Sequence, residues 1–280
     1  MTSLPRLGPA QRAVVAGWFP RATLVADHSW DPVGRAVLHL RSDDRHYIVK
    51  AGVPGDHHMD REIVAHSTVV EPLAARGLAP RMVHADPALR LLATTYLPGV
   101  LVEGTPAEAE PDTYRRAGRA LALLHAQGTR PGDDYERRVD AKALTWLDRD
   151  HRIPHDIAQR LRAELAVPVP PRPLTPTHGD WQPRNWIVDQ GRVAVIDFGR
   201  ADWRPAATDL ARLDAQQFRG RPQLLLDFLE GLGDDPRTPG SWRRDRLREA
   251  IGTAVWAYLV GDEQFEQQGH RMIADVLDGS

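Results

Sequence analysis

The sequence predicts an α+β protein in two lobes, an amino-terminal antiparallel five-stranded sheet with one helix and a mostly helical carboxy-terminal lobe. Three observations carry this. Short apolar runs bounded by turn residues occupy positions 1–97, helical periodicity dominates after Leu97-Pro98-Gly99, and a hairpin pattern between His178 and Ala201 collects acidic and amide side chains at its two ends. The expected boundary therefore falls between residues 97 and 98.

Composition bounds what such a chain can do. At 280 residues, with 42% hydrophobic and 26% charged residues, it has the core and the surface of an ordinary globular protein, so disorder is not expected. A formal net charge of -2 gives no electrostatic ground for a nucleic-acid partner. The absence of cysteine excludes a disulfide framework, a thiolate nucleophile and a cysteine-ligated metal, and fits a reducing compartment. The first residues lack a basic stretch followed by an apolar core, and no run approaches the roughly 18 apolar residues of a membrane span. The expectation is a cytoplasmic protein with no membrane association and no obligate protein partner.

The elements follow in order. Ala, Val and Trp at helical spacing predict a short helix within 9–19. Strands are expected at 22–26, 35–40 and 46–50, separated by Asp31-Pro32-Val33-Gly34 and Ser42-Asp43-Asp44-Arg45. Ile63, Val70 and Leu73 recur at helical intervals up to a stop at Gly77, and strands at 81–85 and 89–97 flank Asp86-Pro87, completing five strands. Beyond them, Tyr114, Leu121, Leu124 and His125 mark a helix over 111–127, with His125 read as a satisfied histidine at its end. The polar run 133–138 is expected as an exposed loop before helices near 142–149 and 156–165. Five prolines in 167–176 exclude helix and predict an extended crossing. Asp209 precedes an apolar pattern that includes Leu210 and Leu213 and is read as a helix cap, with further helices near 222–232 and 245–261.

The chemistry concentrates in HGDWQPRNWIVDQGRVAVIDFGRA, residues 178–201. Asp180 stands two residues after His178, Asn185 five residues after Asp180, and Asp197-Phe198-Gly199 begins twelve residues beyond Asn185. Asp189-Gln190-Gly191-Arg192 reads as the turn of a hairpin, which returns its ends to one place and brings Asp180, Asn185 and Asp197 around one site. Phosphoryl transfer calls for such oxygen donors, because its charge is neutralised by hard cations and its acceptor hydroxyl must be oriented and deprotonated. Asp197 and Asn185 would ligate metal, Asp180 would serve the hydroxyl, and His178 would either take part or only brace the loop. Three fixed residues at about 4 per cent frequency each would coincide in such a chain with a probability of roughly two in a hundred, before the downstream Ile-Asp-Phe-Gly is counted.

These elements resemble those of the protein-kinase-like fold, and the His-Gly-Asp opening resembles the aminoglycoside phosphotransferase family. Protein kinases usually carry Arg where this chain has Gly179. Many family members have Leu-His-Pro-Gly where Trp181-Gln182-Pro183-Arg184 stand here. The resemblance implies a nucleotide-binding lobe at 1–97 and a catalytic and substrate-binding lobe at 98–280. It implies that Lys50 contacts the α- and β-phosphates and is aimed by Glu62, with Glu71 the other candidate partner. It further implies that adenine bonds the Thr95 carbonyl and the Leu97 amide over Ile196. The implied cofactors are ATP, with GTP the other possible nucleotide, and Mg2+. The first turn has only Gly34 in place of a glycine-rich run, so Ser29 is either a phosphate donor or a turn serine.

Acceptor recognition is read from two places. Trp181 can offer a flat face and Arg184 a fixed cation that either approaches the transferring phosphoryl or contacts a neighbouring carboxylate. Asp262, Glu263 and Glu266 form part of an acidic carboxy terminus that would suit a cationic substrate or simply face solvent. The leading expectation is an O-phosphotransferase acting on a hydroxyl of an aminoglycoside or basic peptide antibiotic and conferring resistance. A metabolic kinase for choline, an amino alcohol or a sugar is the alternative, and a nucleotide-binding pseudokinase scaffold a third reading that the presence of Lys50, Asp180, Asn185 and Asp197 disfavours.

Overall fold

A computed structural model describes residues 4, 6–29 and 34–279, so the expected turn at Asp31-Pro32-Val33 lies outside the described residues. The chain packs as two compact units. One comprises Met1–Gln127, His178–Asp202 and Asp227–Gly233, the other Gly128–Thr177, Trp203–Leu226 and Asp234–Ser280.

The first unit is built on an antiparallel sheet of β1 (Thr23–Asp27), β2 (Ala36–Ser42), β3 (Arg45–Ala51), β4 (Met82–Asp86) and β5 (Leu91–Thr95), in the order β1-β2-β3-β5-β4. Successive side chains of a strand point to opposite faces. Leu38, Leu40, Val49, Leu91 and Ala93 accordingly share a core with Val15 of helix α1 (Pro9–Trp18), which begins with proline in its first turn, and with Phe19, which caps its end. The register Val37↔Lys50↔Leu92 puts Lys50 on the other face, where Leu92 packs with Met59 and Ile63 of α2 (His57–Thr68). Asp56 caps α2 by accepting from the amides of His58 and Met59, and is held in turn by Arg35 through two bonds of 2.8 and 2.9 Å.

One helix containing Glu62 and running to Gly77 is expected, and two are found. The chain breaks at Val69 and resumes as α3 (Glu71–Ala74). Pro72 has no amide to donate into a preceding turn, so it fits only at the start of a new helix. Helix α4 (Pro111–His125) lies where expected. A small sheet joins β6 (Val100–Leu101) to a hairpin that follows β7 (Thr175–Thr177) in the chain: β8 (Trp186–Asp189) and β9 (Arg192–Val195), paired Asp189↔Arg192. Its two turn residues, Gln190 and Gly191, have φ of 45° and 77°, the left-handed pair that a two-residue hairpin needs.

The second unit has a helical core in which Leu147, Leu161, Ile251, Val255 and Ile273 meet. They come from α5 (Tyr135–Leu147), α6 (His155–Ala166), α9 (Pro239–Val260) and α10 (Glu263–Leu277). Of the segment expected as an exposed loop at 133–138, Asp133 and Asp134 form an exposed turn but 135–138 is the start of α5, with Tyr135 and Glu136 buried. Glu136 tolerates burial because Arg172 and Arg248 pair with it at 2.8 and 2.6 Å. Helix α9 starts six residues before the expected position for the same reason, since its polar first turns bury Arg244 and Asp245 as paired charges. Asp209 is not the cap of the following helix: it is buried in a 3-10 turn, Ala206–Leu210, and Leu210 takes the cap position of α7 (Ala211–Ala215). Strand β10 (Asp202–Arg204) and helix α8 (Pro222–Leu232) complete the elements.

Candidate active site

Lys50, Glu62, Asp180, Asn185 and Asp197 all belong to the first unit. Lys50 Nζ donates to Glu62 Oε1 at 2.6 Å and to Asp197 Oδ1 at 3.3 Å, so the strand-end lysine joins α2 to the end of the hairpin. Glu71, the other candidate, pairs instead with Arg81 at the surface. Burial acts to push the Lys50 ammonium down, but the charges of Asp197 and Glu62 outweigh it and hold its pKa above the ordinary value. The Lys50 charge in turn holds the Asp197 carboxyl at about 2 against the opposing effect of burial.

Asp197 adopts φ 64°, ψ 70°, a left-handed conformation that costs a non-glycine residue of order 1–3 kcal/mol and that aspartate tolerates better than most. The helix α2 steadies this bend. His58, Glu62 and His66 recur four residues apart on one face: His58 Nδ1 donates to the Gly199 carbonyl at 3.0 Å, and His66 meets the Phe198 ring edge-on at 5.5 Å. Burial, then the nearby Lys50 charge, pushes the His66 pKa down to about 3, so the ring is neutral. The sequence carries this signal in the spacing of the two histidines about Glu62.

The loop before the hairpin is fixed from the same side. Gly179 has φ 77°, which explains glycine where arginine is usual in protein kinases. His178 is buried and braces the loop: its Nδ1 accepts from the Asp180 amide at 3.2 Å while its Nε2 donates to the Ile196 carbonyl at 3.0 Å. Asn185 Nδ2 donates to the Asp180 carbonyl at 2.8 Å and to Asp180 Oδ2 at 3.1 Å, leaving Asn185 Oδ1 without a partner among the described residues. A carboxylate held ionised and an amide oxygen turned away from its own hydrogen bonds are the hard donors that Mg2+ takes, usually one or two per protein with phosphates and waters completing the shell. No group of three His, Asp or Glu residues able to hold a metal occurs among the described residues.

Other expected residues fall differently. Thr95 closes β5 opposite Tyr47, and the Leu97 amide makes no backbone hydrogen bond among the described residues. Ile196 follows β9 directly, its amide bonded to the Asn185 carbonyl at 2.9 Å. Ser29 lies just after β1, and its hydroxyl accepts from the Val37 amide at 2.9 Å. Trp181 does not present a ring to an acceptor. It is only 1% exposed and meets His178 and Trp186 edge-on, because the hairpin carries apolar residues that close over it. Arg184 contacts a neighbouring carboxylate, that of Asp180 itself, at 2.9 Å to each oxygen. Gln182, missed in the sequence, is buried and donates to Asp180 Oδ1 at 2.7 Å.

The acidic carboxy terminus belongs to the second unit and is mostly committed. Asp262 caps α10 by accepting from the Phe265 amide. Glu266 is buried and pairs with Arg152 at 3.3 Å, so it is not free to hold a cation. Glu263 alone of the three is exposed with no partner among the described residues.

A lysine aimed by a buried glutamate at an aspartate held ionised, with a second aspartate and an asparagine on an adjoining loop, defines a phosphotransferase of the protein-kinase-like fold. The chain belongs to the phosphotransferase enzyme family (APH), whose family model matches residues 33–249. No curated protein sequence matches it.

Solved structures share the fold at low identity. A thermostable mutant of aminoglycoside phosphotransferase APH(4)-Ia, in ternary complex with AMP-PNP and hygromycin B, is 14% identical with a TM-score of 0.72, covering 97% of this chain and 98% of its own. Choline kinase LicA from Streptococcus pneumoniae is 15% identical with a TM-score of 0.66, covering 94% and 97%. Macrolide 2'-phosphotransferase MphH from Brachybacterium faecium is 19% identical with a TM-score of 0.60, covering 91% and 92%. No helix among the described residues is long and apolar enough to cross a membrane.

Proposed function

We propose that the protein transfers the γ-phosphoryl group of ATP to a hydroxyl of a cationic small molecule, an aminoglycoside or basic peptide antibiotic, and so confers resistance. The observation that carries the reaction class is the bonded series Glu62–Lys50–Asp197, with Asp180 and Asn185 tied to each other beside it. Residues 1–97 would supply the nucleotide-holding groups, including the Thr95 carbonyl, the Leu97 amide and Ile196. Residues 98–280 would supply the catalytic and acceptor-binding ones. Mg2+ bound through Asp197 and Asn185 would neutralise the phosphate oxygens as charge shifts onto the leaving group. Lys50, aimed by Glu62, would steady the α- and β-phosphates. Asp180 would orient the acceptor hydroxyl and take its proton, and His178 would hold the loop without touching substrate.

Support for a cationic acceptor comes from the names of the structural relatives, since aminoglycosides and choline are alcohols that carry positive charge. The likeness to a choline kinase also favours a second reading, a metabolic kinase for a small amino alcohol. A coupled ADP-release assay across aminoglycosides, basic peptide antibiotics, choline and ethanolamine separates the two. Asp180→Asn is expected to lose nearly all turnover while keeping MgATP affinity, and Asp197→Ala to weaken MgATP binding as well. Calorimetry showing equal loss of MgATP affinity in both variants would contradict this division of roles.

A further inference from the structure

The carboxylate that would receive the acceptor proton has no lone pair to spare. Asp180 Oδ1 accepts from Gln182 Nε2 at 2.7 Å and Arg184 Nη2 at 2.9 Å, and Oδ2 accepts from the same arginine nitrogen at 2.9 Å and Asn185 Nδ2 at 3.1 Å. A carboxylate offers about four acceptor sites, and these bonds fill them. An alcohol can reach Asp180 only if one donor leaves.

The donors are not equally replaceable. Gln182 and Asn185 are buried, and Asn185 is further anchored by its bond to the Asp180 carbonyl. The Arg184 side chain is 42% exposed and arrives from the surface at i, i+4, so water can solvate it once it lets go. It is also the one donor whose release uncovers both oxygens at once.

We propose that Arg184 is a latch on Asp180: it occupies the base until a bound acceptor displaces it, and thereby restrains transfer of the phosphoryl group to water. This rests on reading Asp180 as the acceptor-side base. An acceptor held elsewhere by its own contacts has binding energy to spend on displacing the arginine, whereas a single water molecule has none. With the latch removed, water takes the place of the alcohol. Its oxygen bonds the γ-phosphorus, the bond to the bridging oxygen breaks with its electron pair leaving on ADP, and the water proton passes to Asp180 and on to solvent. The products are ADP and inorganic phosphate. Arg184 is in this sense a positioning residue, acting through Asp180.

The test needs no acceptor. Phosphate release from MgATP alone is measured for the full-length chain, beside MgATP affinity by calorimetry and thermal unfolding. Arg184→Ala is expected to raise acceptor-free hydrolysis roughly three- to tenfold in kcat with MgATP affinity unchanged. Arg184→Lys, whose more strongly hydrated ammonium gives up the carboxylate to water more readily, is expected to fall between. Asp180→Asn added to Arg184→Ala should remove the gain, which a merely structural pair would not predict. Arg184→Gln serves as a second variant if the alanine protein is unstable. Hydrolysis that is unchanged in folded Arg184 variants would make the contact an ordinary surface pair, and hydrolysis that falls would place the guanidinium on the phosphoryl group; either overturns the latch. A wild-type chain that binds no MgATP would overturn the phosphotransferase reading itself, and the latch with it.

Discussion

Phe198 lies between two histidine rings, His178 at 4.9 Å and His66 at 5.5 Å, and the second of these sets a pH response. The His66 pKa is about 3 in the folded chain against an ordinary 6.5. The unfolded chain therefore binds this proton from pH 6.5 downwards while the folded chain refuses it until about pH 3. Stability is full above pH 6.5 and falls with pH across that window, by on the order of 5 kcal/mol from this group. His66→Leu is expected to flatten the pH dependence of urea unfolding between pH 6.5 and 3, and an unaltered slope would exonerate His66. Trp181 gives a second prediction. Its burial assigns it to the core, so Trp181→Ala should cost about 3–5 kcal/mol in unfolding free energy, where loss of an exposed acceptor platform would leave stability alone. Asp180, Asn185 and Asp197 were legible because their spacing encodes one hairpin. The burial of Trp181 was not, because an indole beside a motif reads the same in either setting until His178 and Trp186 are known to close on it.

At the scale of elements, the clearest contest between local and tertiary preference is in α4. Gly118 stands mid-helix, where alanine would gain about 1 kcal/mol of helix propensity. A Cβ there would lie 2.2 Å from the Phe228 carbonyl oxygen and 2.8 Å from the Leu232 amide nitrogen. Backbone cannot yield as a side-chain tip can, so the contact should win and Gly118→Ala should destabilise by about 1–3 kcal/mol in denaturant titration. Apolar periodicity made α4 and α6 readable to within a residue or two. It failed at the starts of α5 and α9, where Glu136, Arg244 and Asp245 are inside the protein despite being charged. Only a partner contributed from elsewhere in the chain, Arg172 at 2.7 Å from Asp245 or Arg248 at 2.6 Å from Glu136, makes such burial tolerable, and no local window contains it.

For the whole molecule, the decisive feature is that the chain passes between its two units five times. The sequence shows a change from strands to helices near residue 97, but not that the first unit also draws on 178–202 and 227–233. A fragment ending at residue 127 would lack the β8–β9 hairpin, and with it the pairing of Val100 and Leu101 and the bond from the Val195 amide to the Leu78 carbonyl. Such a fragment is expected to show no cooperative urea transition, and a sigmoidal unfolding curve from it would refute this. The same threading governs how the protein is born. At about 5–20 residues per second, roughly 5 to 20 s separate the synthesis of Gln127 from that of Gly233, the last residue the first unit requires. For the first part of that interval the nascent sheet has its strands but not its closing hairpin, and until its end the first unit lacks Asp227–Gly233. The newborn chain should lean on ribosome-bound chaperones, and its recovery in an expression host should improve as elongation is hastened through codons 128–233.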